Sequence, residues 1–88
     1  MENCSSIMAI AQERRTESAT RVQDVLTRYG CNIKVRLGLH DVQPDGGVCS
    51  NTGMIMLQLV GSAAEITQLE KDLQGIPNVK VKQMMLDF

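Results

Sequence analysis

Aromatic side chains are nearly missing, since Tyr29 and Phe88 are the only two and there is no tryptophan. A domain that reads RNA on an open sheet stacks bases on rings, so that function lacks its tools. A dominant charge is missing too: 9 Lys and Arg stand against 10 Asp and Glu. Without a basic surplus there is no electrostatic footprint for a phosphate backbone, and a direct nucleic-acid partner is not expected. No apolar run approaches the roughly 20 residues of a bilayer span, and the start Met1-Glu2-Asn3-Cys4-Ser5-Ser6 lacks the basic region of a secretory signal. A cytoplasmic protein without a membrane partner is the expectation. Cysteine is sparse, odd in number and scattered at Cys4, Cys31 and Cys49. Free thiols in a reducing compartment fit this better than a disulfide framework. The pair Gly46-Gly47 lies among turn residues and does not lead from a strand into a helix, so no phosphate-cradling loop is present.

What remains is 88 residues with 43% hydrophobic positions, enough for one core and too few for two, so residues 1–88 form a single domain. The apolar run Ser6–Gln12 suits a strand buried on both faces. Thr16 can cap a helix whose Ala19, Val22, Leu26 and Tyr29 share one stripe, with Gly30 closing it. Glu17 with Arg21 and Asp24 with Arg28 lie four apart, acid first, as on a solvated helix face. Residues 32–40 alternate, Ile33, Val35, Leu37 and Leu39 against Lys34, Arg36, Gly38 and His40, which predicts a strand with its aliphatic side buried. Residues 41–52 carry the turn chemistry of Pro44-Asp45-Gly46-Gly47 and Ser50-Asn51, a long hairpin tip before a third strand over 53–60. Ser62 and Glu65 are spaced as a capping box, Ile66, Leu69, Leu73 and Ile76 continue an apolar stripe, and Gly75 with Pro77 ends the helix. The last strand runs from Val79 to Leu86, where Met84-Met85-Leu86 breaks the alternation and suggests a bulge or a second covered surface.

Strand, helix, strand, strand, helix, strand predicts an α+β, ferredoxin-like βαββαβ sandwich: a four-stranded antiparallel sheet, ordered fourth, first, third, second, with both helices on one face. The other face then carries Met54, Met56 and Val60 of the third strand with Met8 of the first, a patch suited to self-association as a homodimer or higher oligomer. Lys34, Arg36, Lys80 and Lys82 lie on the edge strands, where charge discourages aggregation, and a basic rim for an anion is the alternative reading.

Three cysteines and one histidine invite a metal. Cys31 and His40 stand at opposite ends of one strand, roughly 30 Å apart at about 3.3 Å per residue, and cannot share an ion. Cys4 and Cys31 are separated by two strand spacings, roughly 9–10 Å, too far for a disulfide. His40 and Cys49 instead flank the hairpin tip with Asp41 and Asp45 nearby, so these four are the candidate ligands of a transition metal or redox sensor. No C-x-x-C or H-x-x-x-H spacing reinforces them. The same His40 and Cys49 are the only nucleophile and base pair on offer, with no third orienting group, so an enzyme is not expected.

Residues 35–40 (Val-Arg-Leu-Gly-Leu-His), 53–59 (Gly-Met-Ile-Met-Leu-Gln-Leu) and 69–82, which include Gly75-Ile76-Pro77-Asn78-Val79-Lys80-Val81-Lys82, resemble the small regulators assigned to the iron-only hydrogenase system. That family looks like a free-standing ACT-like domain and is similar to the C-terminal domain of nickel-responsive repressors. The resemblance implies the fold derived above, a regulatory role and a hydrogenase-system protein as partner. It brings no catalytic or ligand-binding residue. The turn Gln12-Glu13-Arg14-Arg15 lacks the glycine usual in amino-acid-binding ACT domains, which argues against an amino-acid effector. Nothing in the 88 residues supplies the repressors' ribbon-helix-helix, so any control of transcription would pass through a partner.

Overall fold

The computed structural model describes residues 4–42 and 49–86. The elements are β1 (Cys4–Gln12), α1 (Arg15–Arg28), a 3-10 turn (Gly30–Asn32), β2 (Ile33–Val42), β3 (Cys49–Gly61), α2 (Ala63–Gln74) and β4 (Val79–Leu86). The strands form one antiparallel sheet in the order β2-β3-β1-β4, the predicted topology. Val22, Val25 and Leu26 of α1 and Ile66, Leu69 and Leu73 of α2 join Met8, Ile10, Ile55, Leu57, Leu59, Val79 and Val81 of the strands in a single core. Each large aliphatic side chain fully buried there contributes about 1.5–3 kcal/mol. Both helices therefore lie on one face of the sheet.

Local signals explain most of the elements. Ser62 Oγ accepts from Glu65 N at 3.1 Å while Ser62 N donates to Glu65 Oε1 at 3.1 Å, so the capping box at α2 is complete. Ile66, Leu69, Leu73 and Ile76 are buried as their spacing requires. Arg14, and not Thr16, is the N-cap of α1. Ser18 then turns its hydroxyl back to the Arg14 carbonyl at 3.0 Å and is buried in place of Ala19, which is exposed. Among the described residues the ion pairs are Arg14–Glu17 and Lys80–Glu13, not the two four-apart pairs on α1.

Three expectations fail for reasons the backbone makes plain. Ile33 pairs with Leu59 but Val35 pairs with Gln58, a one-residue slip. Such a bulge reverses the phase of the strand. Ile33 packs partly buried against the core, while Val35, Leu37 and Leu39 emerge on the face away from the helices. Met8, expected on the open face, is 0% exposed and lies under the helices with Ile10. The unbroken apolar run around it carries no parity signal, and its pairing with Leu57 sets the side. Third, the predicted tip of 41–52 is shorter, because the ladder continues to Val42 opposite Cys49 and takes Ser50 and Asn51 into β3. The end of β4 has no bulge: its register against β1 runs evenly from Gln12↔Val79 to Ser5↔Leu86.

Candidate functional site

Register assigns the rows of the open face. Leu37 stands beside Met56, Met56 beside Ala9, and Ala9 beside Lys82. The row on one side is Leu39, Met54, Ala11 and Lys80; the row on the other is Val35, Gln58, Ile7 and Met84. Six of the large side chains in these rows are held well out: Val35 at 51%, Leu37 at 52%, Leu39 at 46%, Met54 at 42%, Met56 at 37% and Met84 at 61% exposure. Single exposed aliphatics are ordinary on a surface, but a contiguous set on adjacent strands marks an interaction surface. Val60, beside Ser5, extends the patch and is half-buried. Met54, Met56 and Val60 therefore lie where the sequence places them, and β2 adds three aliphatics that the alternation had assigned to the core.

The basic residues do not gather into one rim. Lys80 and Lys82 stand on β4 in open-face rows, whereas Arg36 pairs in register with the core residue Leu57 on β2, the opposite edge and opposite face. Lys80 is already joined to Glu13 at 3.0 Å.

On the helix side, a cleft of about 560 Å³ opens between α1 and the edge strand β2. Thr20 and Asp24 line it from α1, Arg36 and Gly38 from β2, Ile55 from β3 and Gln12 from β1. A glycine inside a strand commonly marks a close approach or a space left for something else. Here it is space, because a Cβ on Gly38 would meet nothing within 4 Å.

Of the candidate metal ligands, Asp45 lies outside the described residues. His40, Asp41 and Cys49 lie at the hairpin end of the β2–β3 ladder, where Val42 pairs with Cys49 and His40 with Gly53. The backbone thus brings His40 and Cys49 to the same end of the sheet. Among the described residues no group of three His, Cys, Asp or Glu side chains is placed to hold a metal ion. Cys31 is an exposed free thiol in the 3-10 turn, remote in register from that end.

Two polar junctions were not legible as such. Tyr29, read as part of an apolar stripe, donates to Asp72 Oδ2 at 2.7 Å. That bond, with burial and the Asp72 charge, raises the Tyr29 phenol, and the same bond together with Gln68 lowers the Asp72 carboxyl. Asn32 Nδ2 donates to the Val60 carbonyl at 3.1 Å and to Glu65 Oε2 at 3.3 Å. The Glu65 carboxyl is lowered first by the Ser62 backbone N–H, then by Asn32 and the Ser62 hydroxyl.

A four-stranded antiparallel sheet in the order 2-3-1-4 under two helices defines an ACT-like, ferredoxin-like domain. Solved structures agree. The uncharacterized protein TM1266 from Thermotoga maritima is similar with a TM-score of 0.82 and 26% identity, over 98% of this chain and 100% of that one. The ACT domain of GTP pyrophosphokinase from Chlorobium tepidum follows at 0.68 and 16%, over 94% and 100%. The divalent ion tolerance protein CutA1 from Ehrlichia chaffeensis gives 0.57 and 12%, over 100% and 86%. The last two likenesses concern the fold alone. No family model and no curated protein matches the chain. No helix among the described residues is long and apolar enough to cross a membrane.

Proposed function

We propose that the protein is a non-enzymatic regulatory or sensing module that associates with a second copy of itself through the open face of its sheet. The observation that carries this reading is the contiguous exposed set Val35, Leu37, Leu39, Met54 and Met56 on the face that no helix covers. Charge favours a second copy as the occupant. The three rows set out above hold no acidic side chain, and their lysines, Lys80 and Lys82, sit on β4 at the far edge. A twofold axis running along the β2–β3 boundary would stack aliphatic strip on aliphatic strip and send the two β4 edges outward to opposite sides, so no like charges face each other. A net charge of −1 adds little long-range repulsion. Sedimentation velocity tests the reading. Wild type should sediment as a dimer or larger, and Met56→Glu and Leu37→Glu as monomers with unchanged circular dichroism. A monomeric wild type, or variants that keep the assembly, would defeat it.

The resemblance to regulators of the iron-only hydrogenase system supplies the further partner in this reading, a protein of such a system. A competing reading is a metal or redox sensor at the hairpin end, favoured by the register that puts His40 and Cys49 at the same end of the β2–β3 ladder. Native mass spectrometry separates the two: a metal lost only from a His40→Ala, Cys49→Ala double variant supports the sensor, and a metal-free assembly shared by both proteins supports the pairing module.

A further inference from the structure

β3 divides its apolar residues by chemistry. Ile55, Leu57 and Leu59 are buried in the core, whereas Met54 and Met56, alternating with them, are exposed on the open face. Strands favour β-branched and aromatic side chains, and pairing with a second copy asks only for apolar volume, which Leu37 and Leu39 supply on β2. What leucine lacks is a thioether. Its sulfur is open to oxidation by a peroxide, and the product is a polar sulfoxide. Met8 on the adjacent strand is 0% exposed, so shielded and unshielded sulfurs lie side by side in one sheet. Register sets Met54 beside Leu39 and Met56 beside Leu37, within the aliphatic strip and next to the proposed axis. A group beside a twofold axis enters the interface twice, once from each copy.

We propose that Met54 and Met56 make the pairing of this chain sensitive to oxidation: hydrogen peroxide converts their thioethers to sulfoxides in the separated chain, and the oxidised chains no longer pair. One peroxide oxygen bonds to sulfur, the O–O bond breaks and the other oxygen leaves as water. Sulfur loses two electrons and the peroxide gains them. A sulfoxide oxygen buried in the strip is an acceptor without a donor, because the donors of those two rows, Lys80 and Lys82, stand two strands away on β4. Pairing in turn shields the sulfurs, so each state opposes the other. A sulfoxide reductase supplied with a dithiol reverses the change, releasing the oxygen as water and leaving a disulfide in the reductant. The inference rests on the pairing reading, since without pairing the sulfoxides have nothing to release.

The test treats the full chain with hydrogen peroxide at protein concentrations below and above its association midpoint. Peptide mapping by mass spectrometry reads the oxidised positions, and sedimentation velocity reads the assembly. Met8 should stay reduced, Met84 and Met85 on β4 should oxidise at a rate independent of concentration, and Met54 and Met56 should oxidise more slowly in the paired chain. Oxidation should raise the dimer dissociation constant about a hundredfold, a factor of roughly ten for one unpartnered oxygen from each copy. The volume-conserving double variant Met54→Leu, Met56→Leu should pair as wild type does and stay paired after the same treatment, which separates the methionines from the three cysteines it retains. Met54→Gln, Met56→Gln should sediment as a monomer with no oxidant present. A wild type that is monomeric before treatment defeats the pairing reading itself. A wild type that pairs but keeps Met54 and Met56 reduced while Met84 oxidises, or stays paired with both oxidised, overturns the oxidation response and leaves pairing standing, as does a leucine variant that dissociates under peroxide or a glutamine variant that pairs.

Discussion

The hydroxyl of Tyr29, just past the end of α1, donates across 2.7 Å to the carboxylate of Asp72 near the end of α2. It is a polar tie between the two helices above an otherwise apolar core. The raised phenol pKa means that the Tyr29 contribution is full below the ordinary value of 10.0 and is lost as pH rises through the folded value. The lowered carboxyl pKa means that the Asp72 contribution is full above the ordinary 3.8 and is lost as pH falls through its folded value. Thermal midpoints measured across pH should therefore fall at both extremes in wild type. In Tyr29→Phe the alkaline fall should flatten and the acid fall should shrink, leaving what Gln68 sustains; an unchanged profile would remove the tie from the account.

Gly61 is the position where backbone conformation leaves least choice. Its φ is +137°, and a Cβ there would lie 2.5 Å from Asn32 Nδ2. Gly61→Ala should destabilise by about 1–3 kcal/mol through backbone strain alone. In an Asn32→Ala background, which already lacks the bonds of that amide, Gly61→Ala should cost less than in wild type, because the collision is gone and the strain remains, a difference that chemical denaturation would register.

Ser62 and Glu65 close the start of α2 by reciprocal bonds. Ser62→Ala should cost about 1 kcal/mol. Glu65, whose carboxyl is lowered first by the Ser62 backbone N–H, adds stability that is full above the ordinary 4.5 and lost as pH falls through its folded value. The wild type and Ser62→Ala denaturation curves should accordingly draw closer on acidification.

Met8 and Met56 are one register step apart on adjacent strands, since Met8 pairs with Leu57, yet they serve opposite faces. Met8→Ala should destabilise by about 2–5 kcal/mol and leave the assembly state alone. Met56→Ala should change the stability of the monomer by no more than about 0.5 kcal/mol and weaken association. Denaturant midpoints and sedimentation on the same two variants check both halves.

Where a residue's role was set by its near neighbours, the sequence was readable. The capping box, the stripe of α2 and the element order all follow from short spacings. The phase of β2 did not, because the bulge between Ile33 and Val35 is fixed by pairing with Leu59 and Gln58 some two dozen residues away. Met8 was misplaced for a related reason: Ser6–Gln12 is apolar at nearly every position, so only its partners reveal which side faces the helices. Of the candidate surfaces, Met54 and Met56 could be read from their alternation with Ile55 and Leu57. The cleft could not, though Gly38 in a strand that otherwise spends its positions on larger residues was its signal.

The placement of β1 at the centre of the sheet has a kinetic consequence. Its neighbours on both sides come later in the chain, β3 beyond α1 and β2, and β4 beyond both helices and the whole β2–β3 hairpin. Long loops must close before any of its ladder bonds is formed, and such non-local pairing slows folding. The β2–β3 hairpin needs no such wait. In pulse-labelling refolding experiments the amides of β2 and β3 that face each other should gain protection first, and those of β1, with those of β4 that pair only with it, should gain it last.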